Sequence, residues 1–358
     1  MRMTLLVSVV FLVAACASTP TVRPWSLDSL RPVPQETGTS ASLRGLCAVS
    51  DRVAWASGSG GTCLRTVDGG DTWEIVPVPG ASEMDFRDVH GFDARSAVLL
   101  VAGQPARLMR TEDAGATWTI AYEHPDPAAF FDALHFEDSR RGMAFSDPVG
   151  GTLLVVSTTD GGRTWSEVPE DRLPRALEGE AGFAASGSCL VTRDGTTWIG
   201  LGGETGAEGA RVLRSDDGGD TWQAFVTPMR TSASAGIFSL DFADGRHGVA
   251  VGGQYDAPEG QDRHFAVTRD GGRTWSVPRA APTGGYRSAV RFLPGTDGKT
   301  AIATGPGGTD VSWDGGRSWQ PLTSEGWHAV ELTPDGCSGW LSGSDGRIAR
   351  IGPFGTKR

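Results

Sequence analysis

The sequence contains fewer basic than acidic residues. Its 358 residues include 32 Lys and Arg against 43 Asp and Glu, giving a formal net charge of −11. This balance disfavours a nucleic-acid-binding protein, which needs a basic surface to contact phosphates. Lysine occurs only at Lys299 and Lys357, so nearly every cation is arginine, which suits bidentate recognition of carboxylates. A GC-rich genome would produce the same bias.

Signatures of metal and cofactor sites are also missing. The sequence contains no CxxC pair, no Cys/His cluster with metal-ligand spacing, no GxGxxG between a strand and a helix, and no haem or flavin motif. We therefore expect neither a metal nor a cofactor. Four cysteines beyond the N-terminal segment allow three disulfide pairings among which the sequence does not choose, and buried thiols are the simpler interpretation. They are Cys47, Cys63, Cys189 and Cys337.

Only one stretch is long and apolar, and it lies at the N-terminus. Arg2 precedes an apolar run over residues 5–13, and the small residues that follow end in VAAC at Cys16. This pattern predicts a lipoprotein signal and tether over residues 1–21, with Cys16 acylated. An ordinary cleaved signal, in which Cys16 has no role, is the alternative. The sequence thus predicts a lipid-anchored protein on the periplasmic side of a Gram-negative envelope, with the outer membrane favoured.

The chain is rich in glycine (51 residues) and in copies of one short phrase. The phrase reads [ST]-x-D-x-G-x-[TS]-W and recurs every 44 to 57 residues. Such a period is typical of one four-stranded propeller blade per repeat. The six copies are centred on Asp68, Asp113, Asp160, Asp217, Asp270 and Asp314.

The phrase has the composition of a tight turn. Asp can accept hydrogen bonds from nearby backbone amides, Gly adopts positive φ without steric cost, and Trp begins the next strand with a large apolar surface. The alternative, a glycosidase acid pair, conflicts with six equivalent copies, which cannot all serve one catalytic centre. A shorter copy at Asp194 is predicted to be the turn between the first two strands of its blade.

The apolar runs around each phrase predict an all-β, seven-bladed propeller occupying residues 22–358 as one domain. Three strands follow the sixth repeat, and an N-terminal segment in which Trp25 takes the role of the box Trp supplies their fourth. Such pairing would close the ring and leave no free edge. A six-bladed ring with an unstructured C-terminus is the alternative. The expected blades are 43–79, 86–124, 130–169, 180–226, 236–278, 285–322, and 326–351 with 22–34.

Loops at the end of the channel opposite the repeated phrases are the predicted binding surface. Aligning the innermost strands places Arg44, Arg87 and Arg287 at the same position along the strand, with His328 next to that position. Acidic and aromatic residues in the same set of loops complete a charge-segregated mouth that could bind a carboxylate-bearing ligand or an extended peptide. In the alternative, these arginines pair with neighbouring acids and fill the channel. The other predicted mouth residues are Asp147, Glu180, Tyr255 and Tyr286.

The repeated phrase matches the Asp-box, or bacterial neuraminidase repeat, which in the families that carry it is a structural turn remote from the binding face. With the segments YRSAV, FRDV, GEAGFAASG, FSDPVGG and HGVAVGG, the chain from about residue 22 onward resembles the photosystem II stability/assembly factor family and its bacterial relatives. In the photosynthetic members an Arg-rich patch engages a membrane-protein partner. The resemblance implies that Arg44, Arg87 and Arg287 have this role here.

The function expected from the sequence is therefore a non-enzymatic, monomeric assembly or scaffolding factor that binds a protein or peptide. A sialidase-like or glycan-binding propeller is the alternative, because an Arg trio exists and Tyr286 adjoins Arg287. The Arg-Ile-Pro opening segment of sialidases is absent, and the chain contains only three tyrosines.

Overall fold

The computed structural model of this chain describes residues 25–352, so the predicted signal, tether and Cys16 lie outside the described residues. The described part consists of short β-strands, turns and a single 3-10 helix, Glu170–Arg172. No helix in it is long and apolar enough to cross a membrane.

The strands of the first three blades follow one another in chain order. The first strand, β1 (Val33–Gln35), precedes them and pairs elsewhere. Each of these blades is one four-stranded antiparallel sheet. Blade 1 contains β2 (Leu43–Ala48), β3 (Ala54–Gly58), β4 (Thr62–Thr66) and β5 (Glu74–Ile75); blade 2 contains β6 (Asp85–Gly91), β7 (Ala97–Ala102), β8 (Arg107–Thr111) and β9 (Thr119–Glu123); blade 3 contains β10 (Phe131–Phe136), β11 (Gly142–Val149), β12 (Thr152–Thr158) and β13 (Ser166–Glu167).

The remaining strands form four more sheets. They are β14 (Glu180–Ala181), β15 (Leu190–Arg193), β16 (Thr196–Gly200), β17 (Gly202–Gly203), β18 (Arg211–Ser215), β19 (Gln223–Val226), β20 (Ala235–Phe242), β21 (Gly248–Gln254), β22 (Phe265–Thr268), β23 (Ala289–Phe292), β24 (Ala301–Gly305), β25 (Gly308–Ser312), β26 (Gln320–Thr323), β27 (Ala329–Leu332), β28 (Gly339–Ser342) and β29 (Ile348–Ile351). Blade 4 is β15-β16-β18-β19 and blade 6 is β23-β24-β25-β26. Blade 5 is β20-β21-β22, extended by β17 and β14, and blade 7 is β27-β28-β29-β1.

This arrangement confirms the predicted all-β, seven-bladed propeller. The first strand of each blade lies innermost, and hydrophobic clusters fill the spaces between neighbouring blades. The last blade packs on the first through Trp340, which is fully buried with Leu43 and Leu46 in one cluster. The six-bladed alternative is therefore wrong.

The N-terminal strand of blade 7 lies later in the sequence than we predicted. The strand β1 pairs antiparallel with β29, with Val33 opposite Arg350. Residues 27–30 form a turn instead, and Trp25 and Leu30 are buried in the cluster shared by blades 6 and 7. Because these two side chains fill the gap between blades, the backbone that carries them is not available to extend the sheet.

The side chain of Gln35 fixes the position of β1. Its Oε1 accepts hydrogen bonds from the indole N–H groups of Trp73 (3.1 Å) and Trp340 (3.0 Å), and its Nε2 donates to the Gly69 carbonyl (3.0 Å). The side-chain amide of Gln35 thus joins β1, the edge strand of blade 7, to the first Asp-box and to β28 of its own blade.

The Asp-boxes are turns closed by their own side chains. In blade 1, the Thr66 hydroxyl donates to Asp68 Oδ1 (2.9 Å) and accepts the Gly70 N–H (2.8 Å). Asp68 also accepts the N–H (2.9 Å) and the hydroxyl (2.7 Å) of Thr72. The same four contacts recur in the other five boxes. Each carboxylate is therefore occupied by the turn that contains it.

The shorter copy of the phrase at Asp194 has a different place in its blade. Asp194 (φ 52°) and Gly195 (φ 77°) form the two-residue turn between β15 and β16, in which Arg193 pairs with Thr196. Positive φ at both positions is typical of a type I′ hairpin. The prediction that this copy links the first two strands of blade 4 is confirmed.

Candidate functional site

The alternation of strands assigns each loop to one face of the ring. Every inner strand begins on the face that also carries the loops between second and third strands, which we call the mouth face. Because the four strands of a blade are antiparallel, the turns between third and fourth strands lie on the opposite face. We call this second surface, which carries the six Asp-boxes, the box face.

Arg44 and Arg87 occupy the same position at the mouth. Each is the extra residue of a β-bulge at the start of its inner strand, since its two neighbours pair with consecutive residues of the next strand. His328 stands at the corresponding place in blade 7, directly before the first paired residue of β27, and its N–H donates to the Ser342 carbonyl (2.7 Å). A bulge re-aims one side chain and bends the strand locally.

Arg287 does not share this position, so the predicted alignment is wrong by one residue. Its backbone N–H donates to Gly252 O of the preceding blade (2.9 Å). In blade 1 the equivalent bond comes from Leu43, the residue before Arg44. Because side chains alternate along a strand, a shift of one residue turns Arg287 away from the mouth.

The Arg287 side chain is buried in an ion pair. Its Nε and Nη2 both donate to Asp310 Oδ2 (2.6 Å each), and its Nη1 donates to the Tyr286 carbonyl (2.8 Å). The two charged side chains are only 3% and 2% exposed. For this residue the structure agrees with the alternative, in which the arginine fills space beside an acid, and its guanidinium is not accessible to a partner.

A segment of small residues crosses the mouth of the channel. We call residues 182–188 the plug. Arg87 Nη1 donates to the Ala184 carbonyl (3.0 Å) and Arg44 Nη1 donates to the Ala185 carbonyl (3.5 Å). Two of the predicted partner-binding arginines thus hold the main chain of this segment, while Arg87 also forms an ion pair with Asp85 (2.7 Å).

Other blades hold the plug from the remaining sides. The Ser186 hydroxyl donates to the Ser288 carbonyl of blade 6 (2.7 Å), and the Ser188 hydroxyl donates to Ser239 of blade 5 (2.7 Å). Gly187 lies so close to Asp88 of blade 2 that a Cβ would be 2.3 Å from its carboxyl group. We predicted the neighbouring Glu180 to lie in a mouth loop and did not predict that residues 182–188 cross the channel. The small residues of the plug were the signal that it passes between packed strands.

His328 is part of the cationic side of the mouth but carries no charge at neutral pH. Burial, and then the nearby cations of Arg44, Arg347 and Arg87, lower the pKa of His328 to about 4. Its Nε2 lies 3.2 Å from the Ser42 hydroxyl. The imidazole therefore acts as a neutral hydrogen-bonding group.

Arg347 is a mouth residue that the sequence analysis missed. Its guanidinium lies over the Trp327 ring, 4.7 Å from the centroid, and its Nη2 donates to the Gly326 carbonyl (2.9 Å). It belongs to the loop between β28 and β29 and is exposed. The alignment covered inner strands only and could not find it. We call Arg44, Arg87 and Arg347 the mouth arginines.

Aromatic side chains lie beside the plug. Phe183 stacks on Phe238 with centroids 4.0 Å apart, and Tyr255 meets both edge-on at 6.5 and 6.2 Å. Tyr255 is 53% exposed, and its role in binding a partner stays a prediction. Tyr286 is instead buried against Phe238, and this burial raises the pKa of its hydroxyl.

The predicted acidic residues have structural contacts. Asp147 accepts the Gly182 N–H of the plug (2.8 Å), and burial raises its pKa. The carboxylate of Glu180 is buried in a bidentate pair with Arg211. Asp132, which we did not predict, is buried at the bulge position of blade 3, and its pKa is raised well above the usual range by burial and then by Asp147.

The box-face half of the channel is an open vestibule of about 910 Å3. Arg291 and Glu331 form an ion pair in its wall. Burial raises the pKa of Asp88 to about 8, and its two carboxylate oxygens accept the N–H groups of Val89 and Leu134 (2.8 Å each). The acceptor sites of Asp88 are thus used to join blades 2 and 3.

Comparison with known proteins gives two kinds of relative. The family model described as "Photosynthesis system II assembly factor YCF48" matches residues 35–129. The chain is 23% identical over 297 residues to "Photosystem II stability/assembly factor HCF136, chloroplastic" from Arabidopsis thaliana, covering 71% of each protein. It is also 26% identical over 281 residues to a sialidase from Bacteroides fragilis, covering 72% of this chain but only 47% of the sialidase.

Among solved structures, the chain is similar to "YCF48 bound to D1 peptide". The TM-score is 0.62 with 15% sequence identity, and the match covers 93% of this chain and 99% of that one. At this identity the likeness establishes the propeller fold alone. Taken together, the comparisons confirm the resemblance of this chain to the photosystem II assembly factor-like family of β-propellers.

Proposed function

We propose that this protein is a lipid-anchored, extracytoplasmic propeller that binds a protein or peptide at its mouth face and acts as an assembly or scaffolding factor. The main observation is that Arg44 and Arg87 already recognise main-chain carbonyls, those of the plug. An arginine has five N–H donors, so each retains further donors for a second polypeptide segment or a carboxylate.

The surroundings of the mouth arginines suit a peptide. Tyr255 is exposed beside the Phe183 and Phe238 stack, so an apolar side chain can pack next to the cationic groups. Aromatic residues and arginine are the residue types that dominate binding energy at protein interfaces. The relative whose structure is described as bound to a D1 peptide offers a precedent for peptide binding by this fold.

The anchor and the location are inferred from the N-terminal sequence. Arg2, the apolar run and Cys16 at the end of VAAC support acylation and export. We propose attachment on the periplasmic side of a Gram-negative envelope, with the outer membrane favoured, and a monomeric protein.

The test is partner capture by a variant in which the mouth arginines are changed together to alanine. Each hydrogen bond from a charged group contributes about 1.5–3 kcal/mol, so losing two of them weakens binding at least about 100-fold. The matched control changes Arg95, Arg140 and Arg246, three exposed arginines of box-face turns, and removes the same charge. Equal capture by both triple variants would refute the mouth as the binding face.

A glycan-hydrolysing propeller is the second candidate because a sialidase is among the relatives. The burial of Tyr286, with its raised pKa, and the engagement of Arg287 by Asp310 weigh against a sialidase centre at this mouth. We therefore propose a non-enzymatic function. Release of the fluorophore from a fluorogenic sialoside by the purified protein would overturn it.

A further inference from the structure

Two pairs of neighbouring Asp-boxes contact each other on the box face through two variable positions. The first variable position is the residue between the Thr or Ser and the Asp, and the second is the residue three places after the Asp. In blades 2 and 3, Glu112 at the first position pairs with Arg163 at the second position of the next box (2.5 Å). In blades 4 and 5, Asp216 pairs with Arg273 in the same way (3.1 Å).

The boxes of blades 5 and 6 break this pattern. Arg269 occupies the first position and Arg317 the second, so two cations stand where the junctions of blades 2 and 3 and of blades 4 and 5 have an acid and a base. Arg163 and Arg273 also donate Nη1 to the carbonyl of their own box Asp (2.7 and 3.1 Å), a bond that Arg317 does not make. Within residues 25–352, neither Arg269 nor Arg317 forms an ion pair.

The two arginines line one groove of about 450 Å3 between blades 5 and 6. Lys299, the only lysine in the described part of the chain, lines it as well and has no ion-pair partner there. Trp313 forms part of the wall and is 39% exposed. This volume lies in the range of small-molecule sites.

Three carboxylates also line the groove and balance the formal charge of the three cations, but within the described residues none of them forms an ion pair with Arg269, Arg317 or Lys299. Asp314 accepts four hydrogen bonds within its own box, from Ser312, Arg317 N–H and Ser318. Asp244 is held by His247 (2.9 Å). Asp297 is exposed and lies more than 4 Å from every cationic group in the described residues.

We propose that this groove is an anion-binding site for a phosphorylated ring compound. Two guanidiniums and one ammonium group supply charge-assisted donors to the phosphate oxygens, and the exposed face of Trp313 offers a flat apolar surface for the attached ring. The site lies on the opposite face of the ring from the mouth and is independent of partner binding there.

The experiment measures binding by calorimetry, with inorganic pyrophosphate as the first probe. Arg269→Asp creates the acid–arginine junction found between blades 2 and 3 and between blades 4 and 5, and is expected to raise the dissociation constant at least about tenfold while leaving the fold intact. Arg279→Asp makes the same charge change at an exposed arginine outside the groove and is the matched control. Removing a negative charge by Asp297→Asn should tighten binding. Equal pyrophosphate affinity in wild type and Arg269→Asp overturns the proposal.

A second set of probes tests the ring. Glucose 6-phosphate and adenosine 5′-monophosphate are compared with inorganic phosphate, in wild type and in Trp313→Ala. We expect one of the two ring compounds to bind wild type more tightly than inorganic phosphate does, and this difference to be lost in Trp313→Ala. Tighter binding of glucose 6-phosphate would identify the ligand as a sugar phosphate, and tighter binding of adenosine 5′-monophosphate would identify it as a nucleotide. If neither does, the assignment of a ring-bearing ligand is wrong.

Discussion

Replacing Arg287 with alanine is expected to destabilise the fold rather than to impair binding alone. The substitution removes three hydrogen bonds, two to Asp310 and one to the Tyr286 carbonyl. The Asp310 carboxylate, 2% exposed, then retains only the Gly284 N–H at 3.2 Å. A charge left in this state cannot be solvated without opening the space between β25 and its neighbours.

The expected cost follows from this burial. Removing one member of a buried ion pair costs about 3–5 kcal/mol in the free energy of unfolding, because the remaining charge keeps its desolvation penalty. Replacing both members with apolar residues of similar volume is expected to recover most of that loss. The double variant Arg287→Met with Asp310→Leu therefore separates the ion pair from the packing of the site.

Urea denaturation, monitored by tryptophan fluorescence, measures these free energies. A single Arg287→Ala variant within about 0.5 kcal/mol of wild type would refute the assignment, since surface substitutions typically have effects of this size. A variant of unchanged stability that no longer captures the partner would show that Arg287 contacts it directly.

Two further predictions concern ring closure and acid stability. Gln35→Ala leaves the indole N–H groups of Trp73 and Trp340 without their acceptor and is expected to lower the free energy of unfolding by about 2–3 kcal/mol, as measured in urea; Glu36→Ala, at the exposed neighbouring residue, is the control. The Thr72 N–H and then the Thr72 hydroxyl lower the pKa of Asp68 to about 2, below its unfolded value of about 3.9. The stability that Asp68 contributes is therefore fully present above about pH 4 and is lost as the pH falls towards 2. Unfolding midpoints between pH 5 and 2 should fall less steeply in Asp68→Asn than in wild type, and parallel curves would contradict this origin.

The parts of the fold that the sequence predicted well are those held by local contacts. The Asp68 box closes through residues 66 to 72, so its side chains and glycines specify the turn wherever it occurs. The same holds for the hairpin at Asp194. The position of β1 was missed because it depends on Trp73 and Trp340, which are distant in sequence from Gln35.

The mouth was predicted less well because strand register and contacts with neighbouring blades decide which side chains face it. Arg44 and Arg87 were found, since their bulges resemble each other in sequence. Arg287 looked equivalent in an alignment, yet one residue of register turns it towards Asp310. Arg347 was missed because it reaches the same surface from a loop rather than from an inner strand.

The sequence by itself determined the chemistry of the blade turns, because each Asp-box encodes its own hydrogen bonds over a few residues, and the three strands after the sixth box indicated a seventh blade. Only the tertiary structure decided which side chains meet across blade junctions. The path of residues 182–188 over the channel depends on groups from several blades, and the meeting of Arg269 with Arg317 depends on two boxes becoming neighbours. Such contacts join residues far apart in the chain, and no local pattern records them.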